Sequence, residues 1–255
     1  DLLSNLKVRN YDTNKLENFL VNELNWETKN NILEPGINTK ILGNLKNINY
    51  ETKNIEMFKE ETTNELYGAL GLLADLKLQK KQGETLHFFT PKTLLRFSPG
   101  SMRKEETGSR LNATNAFNIN RINNKKNYET GLSGTIGFDY KVNKDNRDFD
   151  FSIAQVINEK ENKKMADITS MNEKLSDLVG SAKYNFNDNT SIKYNFAVDQ
   201  NYKDFNYNEV GLNTNLGSLN VNLDYLQENK HIGNQDYLKT KLNYNFSDNG
   251  LVSFE

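Results

Sequence analysis

The chain has 255 residues, of which 36% are hydrophobic, and its mean hydropathy of -0.78 is too polar for a bundle of membrane helices and poor for a soluble domain with a conventional core. Its 32 basic and 34 acidic side chains leave a formal net charge of -2, so no overall field recruits nucleic acid or a partner of one sign. Cysteine is absent, which excludes disulfides, thiolate nucleophiles and thiolate metal sites, while 12 Tyr and 14 Phe set the chain apart from disordered sequence.

Strands that show an apolar face at every second residue reconcile a polar average with so many aromatics. The chain opens at 2–9 in strand-like sequence. Leu66, Gly68, Leu70, Leu72, Ala74, Leu76 and Leu78 then recur at period two. In the run 130–142, Leu132, Gly134, Ile136, Phe138, Tyr140 and Val142 form one face, and Gly131, Ser133, Thr135, Gly137, Asp139 and Lys141 the other. Phe149, Phe151, Ile153, Gln155 and Ile157 follow, then Leu178, Gly180, Ala182, Tyr184 and Phe186. The run 190–203 sets Ile192, Tyr194, Phe196 and Val198 against Lys193, Asn195, Asp199 and Asn201. Leu219, Val221, Leu223 and Tyr225 continue the pattern, as do Leu238, Thr240, Leu242, Tyr244 and Phe246, and a last alternating segment begins at 251. These are about twelve candidate strands, many longer than the roughly 5–6 residues usual in soluble sheets and suited to crossing a bilayer at a tilt.

Short polar turns at 80–84, 143–147, 187–189, 217–218 and 247–250 alternate with longer connections at 52–63, 99–128, 158–173, 202–206 and 229–236. Short periplasmic turns and long extracellular loops are the habit of outer-membrane barrels. The strand near Asn64 is then expected to run toward the periplasm and the one near Glu84 to return. The expected fold is all-β: an antiparallel transmembrane β-barrel, present as a partial, open barrel within a single segment, 1–255, with its closing strands absent. Ile136, Phe138, Tyr194 and Phe196 are expected to face lipid and Asp139, Lys193 and Asn195 the lumen, with Lys183, Asp199, Asp224, Lys239 and Lys241 suiting the same wet interior.

Chemistry is sparse. His87 and His231 have no Ser, Asp or Cys arrangement that suggests a triad, and no phosphate-cradling glycine loop or paired metal-ligand motif is present. Neither an enzyme nor a cofactor or metal site is expected. The long connection carries Arg103, Lys104 and Arg110 beside Gly100, Gly108 and Ser109, a set of cations able to meet phosphate groups. The other reading is a solvated loop whose charges Glu105 and Glu106 offset.

Further along that connection, Asn115, Phe117, Asn118, Asn120, Arg121 and Ile122, followed by Tyr128, Glu129, Gly131 and Leu132, resemble a signature of the LptD family. That family has a Phe-x-x-Asn-Arg-like stretch before a strand opening Glu-x-Gly-Leu. Ala154 and Gln155 look like the family's Gly-Gln strand with Ala in place of Gly, and residues 173–181 are similar to the strand that follows. The resemblance covers roughly residues 90–244 and its motifs are structural. It implies an integral protein of the cell outer membrane that serves as the barrel translocon for lipopolysaccharide, placing it in the outer leaflet. It implies an LptE-like lipoprotein in the lumen and an LptA-like periplasmic partner reached through an N-terminal periplasmic domain, which is expected to be missing from this segment. Arg103, Lys104 and Arg110 would then touch lipopolysaccharide phosphate or core sugar. A porin-like or TonB-dependent channel is the alternative within membrane barrels, and a soluble β-rich adhesin the alternative outside them. The adhesin would need its apolar faces packed together in a dry core.

Overall fold

The computed structural model describes residues 1–11, 14–105, 108–145, 147–229, 233–247 and 250–254. Fifteen strands follow one another: β1 (Leu2–Tyr11), β2 (Lys15–Glu27), β3 (Asn31–Leu33), β4 (Ile37–Lys53), β5 (Thr63–Leu76), β6 (Leu78–Gln82), β7 (Thr85–Ser98), β8 (Gly131–Lys144), β9 (Arg147–Asn158), β10 (Leu178–Asn187), β11 (Thr190–Val198), β12 (Phe205–Leu216), β13 (Leu219–Glu228), β14 (Gln235–Ser247) and β15 (Gly250–Phe254). They form one antiparallel sheet in chain order, with β3 on β4 and β6 on β7 beside the main path. The sheet is not closed, since β1 pairs only with β2 and β15 only with β14. Among the described residues the single helical element is a 3-10 turn at Asp167–Thr169, and no helix is long and apolar enough to cross a membrane.

The main path holds slightly more strands than the roughly twelve expected, and β3 and β6 are the second halves of interrupted strands. The run from Leu66 to Leu78, which reads as one strand, breaks at Lys77. Register sets Asp75 opposite Lys92 and Leu78 opposite Phe89, so Pro91, which has no N–H to offer the ladder, stands opposite Leu76, the last residue before the break. The run expected over 190–203 ends earlier, at Val198. There the Asp199 carboxylate accepts the backbone N–H of Lys203 at 2.8 Å, a local turn that competes with the ladder and takes Asp199 off the strand.

Antiparallel succession puts the connections after β4, β7, β9, β11 and β13 on one edge of the sheet and the short turns after β8, β10, β12 and β14 on the other. The alternation of long and short connections is therefore as expected. Directly paired residues share a face. One row reads Leu70, Phe97, Leu132 and another Leu72, Leu95, Gly134, Ile157, crossing from β5 to β9. Ile136 stands on this face and is 52% exposed, and Leu66 is 69% exposed. The opposite face carries Lys46, Arg96, Ser133 and Thr135, all buried, because the long connections fold across it. Asp139 pairs there with Lys92 and accepts Ser152 at 2.8 Å, while Lys193 and Asn195 meet Glu209 at 3.2 and 2.6 Å. The polar face is thus the covered one and the apolar face is bare, the reverse of a soluble sandwich. Near the short-turn edge the bare face carries a belt of rings, with Phe138 5.1 Å from Phe89 and 5.9 Å from Phe151, and His87 bonded to the Tyr140 hydroxyl at 2.9 Å.

One glycine in the wall is required by close approach: a Cβ at Gly137 would lie 2.1 Å from the Ile153 carbonyl oxygen on β9. Gly137→Ala is expected to force β8 and β9 apart and to cost about 1–3 kcal/mol. A lower fraction of heat-resistant folded barrel on semi-native gels measures it.

Candidate functional site

The most built region lies where the connection 99–130 crosses the covered face between β7 and β8. Three wall cations of β4 and β7, or of the connection itself, organise it. The guanidinium of Arg96, 1% exposed, donates to the Ile119 carbonyl at 2.7 Å and the Glu129 carbonyl at 2.6 Å and lies 5.6 Å from the Tyr128 ring centroid. Lys46 donates to the Asn124 carbonyl and sits 3.5 Å from the Glu23 carboxylate, whose other oxygen accepts Asn44 at 2.7 Å and Asn120 at 3.0 Å. Arg121 grips the Glu129 carboxylate, with its Nε at 3.0 Å, and donates to Ser133 at 2.7 Å and Thr135 at 3.3 Å on β8.

Arg96, Arg121 and Lys46 are three buried cations facing two carboxylates, Glu129 and Glu23. Carbonyl oxygens of the connection and the face of Tyr128 absorb the surplus charge, and that geometry makes the connection part of the wall. Burial by itself would raise the Glu129 carboxyl, but the Arg121 guanidinium, and then Arg96, outweigh it and hold Glu129 below the usual carboxylate value. Burial pushes the Tyr128 phenol up to about 12, with Arg96 offsetting part of the effect. Burial also raises Glu105, against the hydrogen bond from Asn127 and the charge of Arg103.

Apolar pads flank the charges. Phe19, Ile48, Tyr50, Tyr67 and Tyr128 cluster toward β2–β5, with Phe58 and Ile119 packed against them. Met102, Leu111, Ala116 and Ile122 of the connection meet Ala154, Val156, Val179 and Ala197 on β9–β11, joined by Met165 and Met171 from the next long connection. Gly71 leaves room for Ile119: a Cβ there would come within 2.9 Å of its Cδ1.

The three cations singled out in the sequence are not brought together. Arg103 is half-buried, ion-paired with Glu65 on β5, and stacked 4.8 Å over Phe58 and 5.4 Å over Tyr50. Arg110 pairs with Glu228 on β13 and stacks 4.8 Å over Tyr207. Lys104 is exposed. Glu105 does not offset them from solvent: it is buried and accepts Asn124 at 2.8 Å and Asn127 at 2.7 Å. Glu106 and His231 lie outside the described residues. Lys183, Lys193, Asp224, Lys239 and Lys241 share the covered face by register, unlike Asp199. Sequence reasoning singled out neither Arg96 nor Lys46 nor Glu23. Their one signal was charge at inward positions of long strands, which every wet-sided strand also shows. Among the described residues no group of acids and histidines could hold a metal ion.

A long-stranded antiparallel sheet with a bare apolar face, a covered polar face and a connection folded across the latter defines the wall of a membrane β-barrel. The model of the LptD family, described as LPS transport system D, matches residues 104–249, more than half of the sequence, and the chain belongs to that family. No curated protein matches the chain. The match spans the Asn115–Ile122 and Tyr128–Leu132 stretches, which here supply Asn120, Arg121, Tyr128 and Glu129 to the buried cluster. Membership carries a role in lipopolysaccharide transport at the outer membrane, in a family of transport proteins and not of enzymes.

Proposed function

We propose that this chain is part of the barrel translocon that delivers lipopolysaccharide into the outer leaflet, its bare face in hydrocarbon and its long connections on the cell-surface side. The observation that carries this reading is the inversion of the two faces, which suits a wall with lipid outside and a polar path inside. Both sheet edges, β1 and β15, present unpaired backbone groups that hydrocarbon does not tolerate, so further strands are proposed to complete the barrel. An LptE-like lipoprotein would occupy the lumen against the part of the covered face that the connections leave open, and an LptA-like protein would meet a periplasmic domain outside this segment.

Contact of the basic connection with lipopolysaccharide takes a divided form. Lys104 is free to reach phosphate from the surface, while Arg103 and Arg110 reach it only where their bonds to Glu65 and Glu228 open. The test is depletion of the protein from cells, followed by assay of lipopolysaccharide accessible at the surface. Loss of surface lipopolysaccharide is the expected result. Unchanged export together with lost solute flux would replace this reading with a porin-like or TonB-dependent channel.

A further inference from the structure

A second feature lies at the long-connection edge, beside the Arg96 and Arg121 cluster and sharing Glu129 with it: a cavity of about 1030 Å³ between the upper ends of β7, β8 and β9. Lys160, Lys163, Lys164 and Lys174 line it, all on the connection that follows β9 and all exposed. Two acids, Glu159 and Glu161, line it as well, and the third, Glu129, is already held by Arg121. The available charge is therefore positive. Its floor is apolar, made by Met102, Met165 and Met171, and its lower lip is Phe97 and Leu132, which are 53% and 37% exposed on the bare face.

The lysines sit on an ordered frame. The Lys164 carbonyl accepts Glu105 N–H at 2.7 Å, the Lys174 carbonyl accepts Asn158 N–H at 2.8 Å, and Glu159 N–H reaches the Leu132 carbonyl at 3.0 Å. Asn162 N–H bonds the Asn172 carbonyl at 2.9 Å, and Lys164 Nζ donates to Ser101 at 2.6 Å. The cavity thus joins ammonium groups above to an apolar wall below within one recess. That is the pattern that fits an amphiphile with an anionic head.

We propose that this cavity binds the phosphate-bearing headgroup of an acylated glycolipid in the surrounding leaflet, with the lysines on its phosphate and its first acyl carbons along Phe97 and Leu132. This site rests on the reading that the bare face lies in hydrocarbon with the long connections outside. It is distinct from the Arg103, Lys104 and Arg110 set, two of whose members bond to the wall.

The experiment is amine-reactive labelling of the protein purified from the outer membrane with its co-purifying partners, read lysine by lysine by mass spectrometry. Diphosphorylated lipid A in mixed micelles is expected to slow labelling of the four lysines by about tenfold, the effect of roughly one near-surface ion pair, and to leave Lys80 and Lys81 on β6 unchanged. The same lipid stripped of phosphate, and inorganic phosphate alone, are expected to protect none of them. Equal protection by the stripped lipid overturns headgroup recognition, protection by inorganic phosphate alone overturns the lipid assignment, and no protection by any probe overturns the site. A Lys160→Glu, Lys163→Glu double variant is expected to lose protection at Lys164 and Lys174, and retained protection there also counts against the proposal. Depletion of the wild-type protein reads the transport function separately. Unprotected lysines with transport intact reject the cavity alone, and surface lipopolysaccharide unchanged on depletion rejects the transport reading.

Discussion

Glu129→Ala is expected to detach the 99–130 connection from the wall, because it leaves Arg121, whose side chain is fully buried, without its carboxylate and Arg96 without its nearest counter-charge at 3.6 Å. Removing one partner of a buried pair costs about 3–5 kcal/mol, more than most changes elsewhere in the chain. The readout is protease cutting within 99–130 on intact cells, together with sensitivity to large antibiotics that the outer membrane normally excludes. Glu129→Gln keeps an acceptor for Arg121 and should lie between wild type and alanine. A connection that stays resistant in the alanine variant would show that the apolar pads hold it without the charges.

The same carboxylate sets a pH dependence. Glu129 titrates below its ordinary 4.5 in the folded state, so its stabilising contribution is complete above that value and is lost as pH falls through the lowered one. Glu105 is raised and works in the opposite sense, its contribution growing as pH falls through its raised value. Resistance of the connection should therefore hold through mild acidification and collapse only below the ordinary carboxylate range. In Glu129→Gln the late collapse should disappear.

Ile136→Arg is the second large effect expected. Ile136 stands on the bare face in the upper half of β8, between the rows of Leu132 and Phe138, and a guanidinium there would be pressed into hydrocarbon. A charge near the bilayer midplane costs about 2–4 kcal/mol, to be measured by urea titration of the protein refolded into lipid vesicles. Asn222→Arg, on the covered face of β13, exchanges side-chain hydrogen bonds to Asn213 and Asn220 for those a guanidinium makes with the polar groups of that face and with water, and should cost about 1 kcal/mol. Equal tolerance of the two arginines would mean that the bare face does not meet lipid.

Strand existence and face membership were legible in the sequence because both follow from a local rule. Successive Cβ atoms point to opposite sides, so Leu132, Ile136 and Phe138 are bound to share one face and Ser133, Thr135 and Asp139 the other. Where a local competitor intervened, the pattern misled. Pro91, on a neighbouring strand, interrupts the run through Leu78, and the Asp199 side chain ends β11 early, and neither changes the alternation of apolar letters.

The path of the 99–130 connection was not legible in the same way. Its glycines and charges read as a flexible, solvated excursion, whereas Arg103 and Arg110 find Glu65 and Glu228, the latter 118 residues along the chain. Lys46 and Arg96 recognise carbonyl oxygens at Asn124, Ile119 and Glu129, and a carbonyl is present at every residue, so this recognition leaves no mark in the side-chain sequence. The Asn120, Arg121 and Glu129 motif could be seen, but its role could not, since the partners Glu23, Ser133 and Thr135 are assembled only by strand register. The sequence by itself determined an antiparallel sheet of long, two-faced strands and the family to which it belongs, because alternation and motif are properties of neighbouring residues. Only the tertiary structure decided that the polar face is the buried one and which cations remain free, because burial and ion pairing depend on where distant strands bring their charges together.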